Sequence, residues 1–212
     1  TAFLYAGLPG RHFWLSAVMA ARFLASAFAG GPALLIILAL IVRKVTKFDP
    51  GKEPIQTLGV IVTYAMFANV FLLGLEFFTA FYSNIPGHME SFIYLYAGAH
   101  GHHELVPLMW TSSIFAAVSL LMLVIPKIRR NETTLSLACV MLFASLWIDK
   151  GFGLVIGGFV PNMMNQIRPY WPTRQESIIT LGVWAIGLLI LTFLYKIAVS
   201  VRERTAGVEI EH

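Results

Sequence analysis

Cysteine occurs once in this 212-residue sequence, at Cys139, and charged residues make up only 12% of it. One thiol cannot close an internal disulfide or supply a cysteine-ligated metal cluster. So few charges exclude an ordinary soluble domain, which carries about 25% charged residues. Short alternating apolar and polar runs are also missing, and that removes an outer-membrane β-barrel from consideration. No internal repeat, low-complexity tract or secretory signal is visible. Histidine is absent from the middle of every long apolar stretch, so facing axial ligands for a membrane haem are lacking and no haem is expected in this chain.

What is abundant is hydrocarbon. Hydrophobic residues make up 58% of the chain, and five stretches reach the roughly 20 apolar residues that a membrane-crossing helix requires. They run over about 13–43, 55–82, 104–125, 133–158 and 174–197. Within a bilayer each backbone polar group must be satisfied inside its own segment, which leaves helices as the spanning form. The expected fold is therefore all-α: one transmembrane domain over 1–212, built as a polytopic bundle with five spans. The first stretch would be about 45 Å long at 1.5 Å per residue, so it must tilt, kink or protrude. Gly30-Gly31-Pro32 offers the kink, because proline removes a backbone donor. Pro54 suits the start of the second helix and Pro126 the end of the third. Thr173 and Glu176 have capping-box spacing at the start of the fifth. Gly153 and Gly157 would let the fourth helix approach a neighbour closely.

The net charge of +4 matters less than where the cations fall. Arg43, Lys44, Lys47 and Lys52 lie between the first two helices, and Lys127, Arg129 and Arg130 between the third and fourth. Lys196, Arg202 and Arg204 follow the fifth, whereas the alternate segments hold only Arg11, Arg168 and Arg174. Cations gather on the cytoplasmic side of inner-membrane proteins, so the C-terminus is expected in the cytoplasm. The 83–103 and 159–173 loops then face outward, with Tyr170 and Trp171 at the outer interface. The high pI needs no nucleic-acid partner.

Two cations escape this pattern. Arg22 and Lys150 sit within apolar spans, as do Glu76 and Asp149. Counting 1.5 Å per residue from the outer helix ends, Arg22 lies roughly 15 Å deep, Glu76 roughly 10 Å and Asp149 about 14 Å. A charge in hydrocarbon costs several kcal/mol, so these four are expected to meet one another. Adjacent helical side chains diverge by about 100°. The economical pairing therefore sets Asp149 against Arg22 and Lys150 against Glu76, or the reverse. Two roles remain open for the cluster: ion pairs that lock three helices, or carboxylates that carry protons. The histidines suggest less. His88, Glu90, His100, His102 and His103 crowd the first outer loop, and a solvated helix start is a better reading of them than a metal site.

The residues also carry a resemblance. Arg22-Phe-Leu-Ala-Ser-Ala-Phe-Ala-Gly-Gly-Pro32, Phe71-Leu-Leu-Gly-Leu-Glu76 with Phe81-Tyr82-Ser83, and Trp147-Ile-Asp-Lys-Gly-Phe-Gly153 resemble segments of the NrfD/PsrC superfamily of membrane quinol-binding subunits. Pro161 and Tyr170-Trp-Pro-Thr-Arg-Gln-Glu176 extend the likeness, which is greatest to the DsrP and HmcC-type branch. Asp149 stands where that family more often has glutamate. The resemblance implies a subunit of two helical bundles with flanking helices, of which this chain would be the C-terminal half. It further implies a place in a respiratory complex associated with sulfate reduction, in the cell inner membrane. Electrons would pass between menaquinol and an iron–sulfur subunit on the outer face, beside further cytochrome and membrane subunits. Menaquinone would bind mainly in the missing N-terminal half. Arg22, Glu76, Asp149 and Lys150 fall on polar family positions where a proton path is suspected. The competing readings are a secondary transporter or proton channel, whose inverted repeat is not seen, and a passive anchor for redox subunits.

Overall fold

The structure, a computed structural model, describes residues 2–8, 10–45, 51–99, 101–160 and 172–208. Lys47, His100, Pro161, Arg168, Tyr170 and Trp171, with the Met163–Pro169 stretch, lie outside the described residues. The named elements are all helical. They are α1 (Ala2–Ala6), a 3-10 turn (His12–Trp14), α2 (Met19–Val45), α3 (Lys52–Tyr82), α4 (Pro86–Tyr96), α5 (Val106–Val124) and α6 (Pro126–Arg129). There follow α7 (Glu132–Ile148), a π-helical segment (Asp149–Ile156), α8 (Gly157–Phe159) and α9 (Arg174–Val208). Five helices are long and apolar enough to cross a membrane: Met19–Val45, Lys52–Tyr82, Val106–Val124, Glu132–Phe159 and Arg174–Ile197. The protein is an integral membrane protein.

The first span begins later than expected, at Met19, because residues 12–14 form a separate 3-10 turn that buries Phe13 and Trp14. Pro32 sits inside α2 without ending it. Pro126 belongs to the first position of α6, after α5 has closed at Val124. A larger correction concerns 83–103, expected as an outer loop. Pro86 supplies the fixed φ of a first helical position, and α4 then buries Ser91, Phe92, Tyr94 and Leu95. The segment is packed structure rather than a free loop.

The chain divides into two compact units, Thr1–Pro169 and Tyr170–His212. In the first, α2, α3, α5 and α7 form a ring of neighbours: α2 against α3, α3 against α5, α5 against α7, and α7 back against α2. Two apolar cores occupy this ring at different heights. One joins Ala29, Ala33 and Ile36 to Ile55, Val62, Met66, Leu123, Leu135 and Leu142. The other joins Trp14 and Met19 to Phe92, Leu95, Met109, Leu154 and Ile156, with rings such as Phe77 and Phe92 at 4.1 Å. The second unit is α9, whose first turn carries a reciprocal cap. The Thr173 backbone N–H donates to Glu176 Oε2 at 2.6 Å, and the Glu176 N–H donates to Thr173 Oγ1 at 3.4 Å.

Glycines set the closest approaches. A Cβ on Gly153 would lie 2.8 Å from Met109 Cε, and one on Gly157 2.9 Å from Leu95 Cδ1. These two positions let the end of the fourth span press on α5 and α4. At Gly158 a Cβ would overlap the indole of Trp14, a fully buried ring whose Nε1–H donates to Leu154 O at 2.9 Å. Gly158→Ala is therefore expected to lower stability by about 1–3 kcal/mol, the range for overpacking a tight core. Gly151→Ala, with nothing within 4 Å of the new methyl, should leave the thermal unfolding midpoint of the detergent-solubilised protein unchanged. Equal midpoints for both variants would contradict this packing.

Candidate functional site

Each helix of the ring carries buried polar residues, some at the junction of the two apolar cores and some, such as Asn69 and Ser119, set among the residues of the first. On α2 they are Arg22 and Ser26, on α3 Asn69 and Glu76, on α5 Ser112 and Ser119, and on the fourth span Ser145 and Asp149. Their spacings are four or seven residues, which places each pair on one helix face. Ser26, Asn69, Ser112, Ser119 and Ser145 were not expected from sequence, although that same-face spacing with the four charges was the available signal. Small hydroxyls are easily passed over, because a buried serine can satisfy itself locally. Ser26 and Ser119 do so, donating to Phe23 O at 2.8 Å and to Ala116 O at 3.0 Å. Ser112 and Ser145 instead tie α5 to α7, each hydroxyl donating to the other residue's carbonyl at 2.9 and 2.8 Å.

The charges meet at the junction of the two cores. Arg22 donates from Nη1 to Glu76 Oε2 at 2.5 Å and from Nη2 to Asp149 Oδ1 at 2.6 Å. One guanidinium thus bridges three elements, α2, α3 and the π-helical segment. Its side chain is 4% exposed and that of Glu76 3%. Lys150 Nζ lies 3.2 Å from the other Asp149 oxygen, Oδ2, and 5.3 Å from the centre of the Phe23 ring. At that distance the ammonium pairs directly with the carboxylate.

The expected alternative pairing is therefore corrected in one respect. Lys150 neighbours Asp149, and Glu76 shares Arg22 with Asp149. Asp149 opens the π-helical segment. A π turn carries an extra residue, and such turns are frequent at functional sites. Here the aspartate offers one oxygen to each cation.

Two cations and two anions leave the tetrad with no net formal charge. That balance matters because removing an ion from water costs several kcal/mol, offset only when its partners are buried with it. Arg22 Nε is buried without a hydrogen-bond partner among the described residues, as is Asn69 Oδ1. Arg22 and Asp149 also line a cavity of about 10 Å³ together with Tyr96, Met109 and Gly153. A cavity of that size admits roughly one water. The Tyr96 hydroxyl lies 3.2 Å from Ser113 Oγ, and burial holds its phenol above the usual range. Nearer the helix ends, burial lowers the His88 imidazolium, with Glu76 opposing and His12 reinforcing the shift.

The remaining histidines stay apart from the tetrad. His12 lies in the 3-10 turn. His102 Nδ1 approaches Glu104 Oε1 at 3.7 Å in a half-exposed pair. Among the described residues no three His, Cys, Asp or Glu side chains converge as a metal ligand set.

With this geometry in view, the family model described as polysulphide reductase, NrfD, matches residues 1–161. The chain belongs to the NrfD family. All four members of the tetrad lie within the matched residues, and α9 lies outside them. At 25% identity over 90% of its length, this NrfD-family chain is also similar to a putative membrane subunit of dimethyl sulfoxide reductase from Halobacterium salinarum. The alignment covers 47% of that relative, so the chain spans about half the length of the curated protein it matches.

Breaking the tetrad on one side should cost more than neutralising it. Arg22→Met leaves two buried carboxylates competing for Lys150, and a destabilisation of about 3–5 kcal/mol is expected. Arg22→Met with Glu76→Gln removes one charge of each sign and retains Asp149 beside Lys150. The double variant is expected to unfold at a higher temperature than the single one. A double variant less stable than Arg22→Met would overturn this charge-balance account.

Proposed function

We propose that the chain forms one bundle of a quinone-interacting membrane subunit, in a respiratory complex of the DsrP and HmcC type. That subunit exchanges electrons between menaquinol and an iron–sulfur partner on the outer face of the inner membrane. The observation that carries the reading is a charge-balanced tetrad, shielded from lipid, in a member of the NrfD family. The motif likeness at Arg22–Pro32, Phe71–Glu76 and Trp147–Gly153 supports the narrower branch. A sulfate-reduction setting, further cytochrome subunits and a cytoplasmic C-terminus belong to the same proposal.

The role assigned to this chain's own residues is proton handling. In this reading menaquinone binds away from the tetrad, which the small cavity there, with room for about one water, supports. Glu76 and Asp149 are held by the same guanidinium, so protonating either weakens one arm of the fork and leaves the other in place. A proton can therefore reside on one carboxylate while Arg22 keeps the helices joined through the second. The half-buried Tyr96, which lines the same cavity as Arg22 and Asp149, offers a hydroxyl on that side, with Ser113 Oγ 3.2 Å beyond it. General acid–base groups of this kind contribute about 10²–10⁴-fold where a proton moves in the rate-limiting step.

A passive clamp makes a different prediction, and amide variants separate the two. Glu76→Gln and Asp149→Asn keep side-chain size while removing the titratable proton, and each retains one carbonyl oxygen to accept from Arg22. In the purified complex, each is expected to lower the unfolding temperature, because one buried cation loses its partner, while the assembled complex that remains shows quinol-linked proton movement cut about 100-fold. Unchanged proton movement and electron transfer in both variants would reduce the tetrad to a structural clamp.

A further inference from the structure

Beyond the core of Ile55 and Leu135, away from the tetrad, α3 begins beside the passage from α6 to α7. A cavity of about 690 Å³ lies there. Its wall includes three cations, Lys52, Arg129 and Arg130, and two carboxylates, Glu53 and Glu132. Glu132 is engaged by Arg43, whose Nη1 donates to its Oε1 at 3.1 Å, so the wall retains a positive surplus. Gln56 holds the passage in place, its Nε2 donating to the carbonyls of Arg129 and Arg130 at 3.4 and 3.3 Å. Arg129 is itself pinned by donation from Nη1 to Leu123 O at 2.9 Å. Its Nε is buried without a partner among the described residues. Lys52 and Arg130 are exposed.

The same faces continue as hydrocarbon. Residues four positions beyond Thr57 and Val60 on α3 are Ile61 and Tyr64, 43% and 75% exposed. The neighbouring end of α5 exposes Val124 and Ile125. A cation-lined cavity at a helix end, continuous with an apolar helix flank, matches a phospholipid in both its parts. Lys and Arg bind phosphate oxygens by charge-assisted hydrogen bonds, and basic pockets between membrane helices take anionic headgroups. A free phosphate would leave the apolar flank without a role.

We propose that this cavity binds the headgroup of an anionic phospholipid, with Lys52 and Arg130 on the phosphate and the acyl chains along Ile61, Tyr64, Val124 and Ile125. The lipid would fasten the start of α3 to the turn between α5 and α7, at the seam where Gln56 already reaches across. This inference does not depend on the proton-handling reading.

The experiment uses the full-length protein in its native complex, reconstituted with phosphatidylglycerol or phosphatidylcholine and examined by native mass spectrometry. Wild type is expected to retain phosphatidylglycerol and to release phosphatidylcholine. In Lys52→Gln with Arg130→Gln, retention of phosphatidylglycerol should weaken about 30-fold, the sum of two near-surface cations. Lys52→Arg with Arg130→Lys, which keeps both charges, should retain it. Inorganic phosphate is expected neither to bind measurably nor to displace the lipid. Equal retention of the two lipids by wild type, undiminished retention in the glutamine variant, or displacement by inorganic phosphate would each overturn the proposal.

Discussion

The bundle turns on a single guanidinium shared by two carboxylates. Arg22 reaches Glu76 on α3 and Asp149 on the π-helical segment through separate nitrogens. Because both bonds leave one planar fork, the rotation and height of three elements are fixed together. In hydrocarbon such a contact cannot be traded for water, so a helix that slips by one residue strands a charge. Lys150 completes the arrangement by balancing the second carboxylate at 3.2 Å. Remove any one member and the remaining three carry a net charge.

Around that contact lies a layer of buried polar residues, with an apolar core on each side of the charges. The core of Ala33, Ile36, Val62 and Leu142 seals one side, and that of Trp14, Leu95, Met109 and Leu154 the other. Burial stabilises each core in proportion to area, whereas the polar layer is stabilised only when its partners are matched. The Ser112 and Ser145 exchange shows how strictly that matching is met, since both hydroxyls find carbonyls across the α5–α7 interface. Among the described residues of this layer, Arg22 Nε, Asn69 Oδ1 and Lys150 Nζ have no hydrogen-bond partner by geometry, although Lys150 pairs with Asp149 by charge. Unsatisfied buried groups are costly in a low-dielectric interior.

Sequence made the spans and the four charged residues legible because the bilayer allows few alternatives. An apolar run of the right length must be a helix, and a charge within it must find a partner. Who pairs with whom was less accessible. Regular helical geometry sets Asp149 and Lys150 about 100° apart, yet both join one cluster, because Asp149 turns a separate oxygen to each cation. Nothing in Trp147–Gly153 announces the π-helical segment that Asp149 opens. The helix α4 was hidden for another reason: its eleven residues are too few to register as a span, and its histidine and glutamate read as solvent-facing. Family membership was legible from short motifs, since those motifs surround Arg22, Glu76 and Asp149.

A second ion pair in the same bundle shows what the tetrad is not needed for. At the far end of α2, Arg43 engages Glu132 and ties α2 to α7, with both side chains about a quarter exposed, 25% and 26%. Such a pair contributes roughly 0–1 kcal/mol and keeps access to water. The opposite end of the same two spans uses an arginine and a carboxylate again, now at 4% and 11% exposure, where desolvation costs several kcal/mol per ion. Well-packed apolar residues of similar volume would join the helices there at no such cost, as the flanking cores already do. A buried clamp fixes helix register at the cost of that desolvation, and the proposed proton handling would give the same carboxylates a further role.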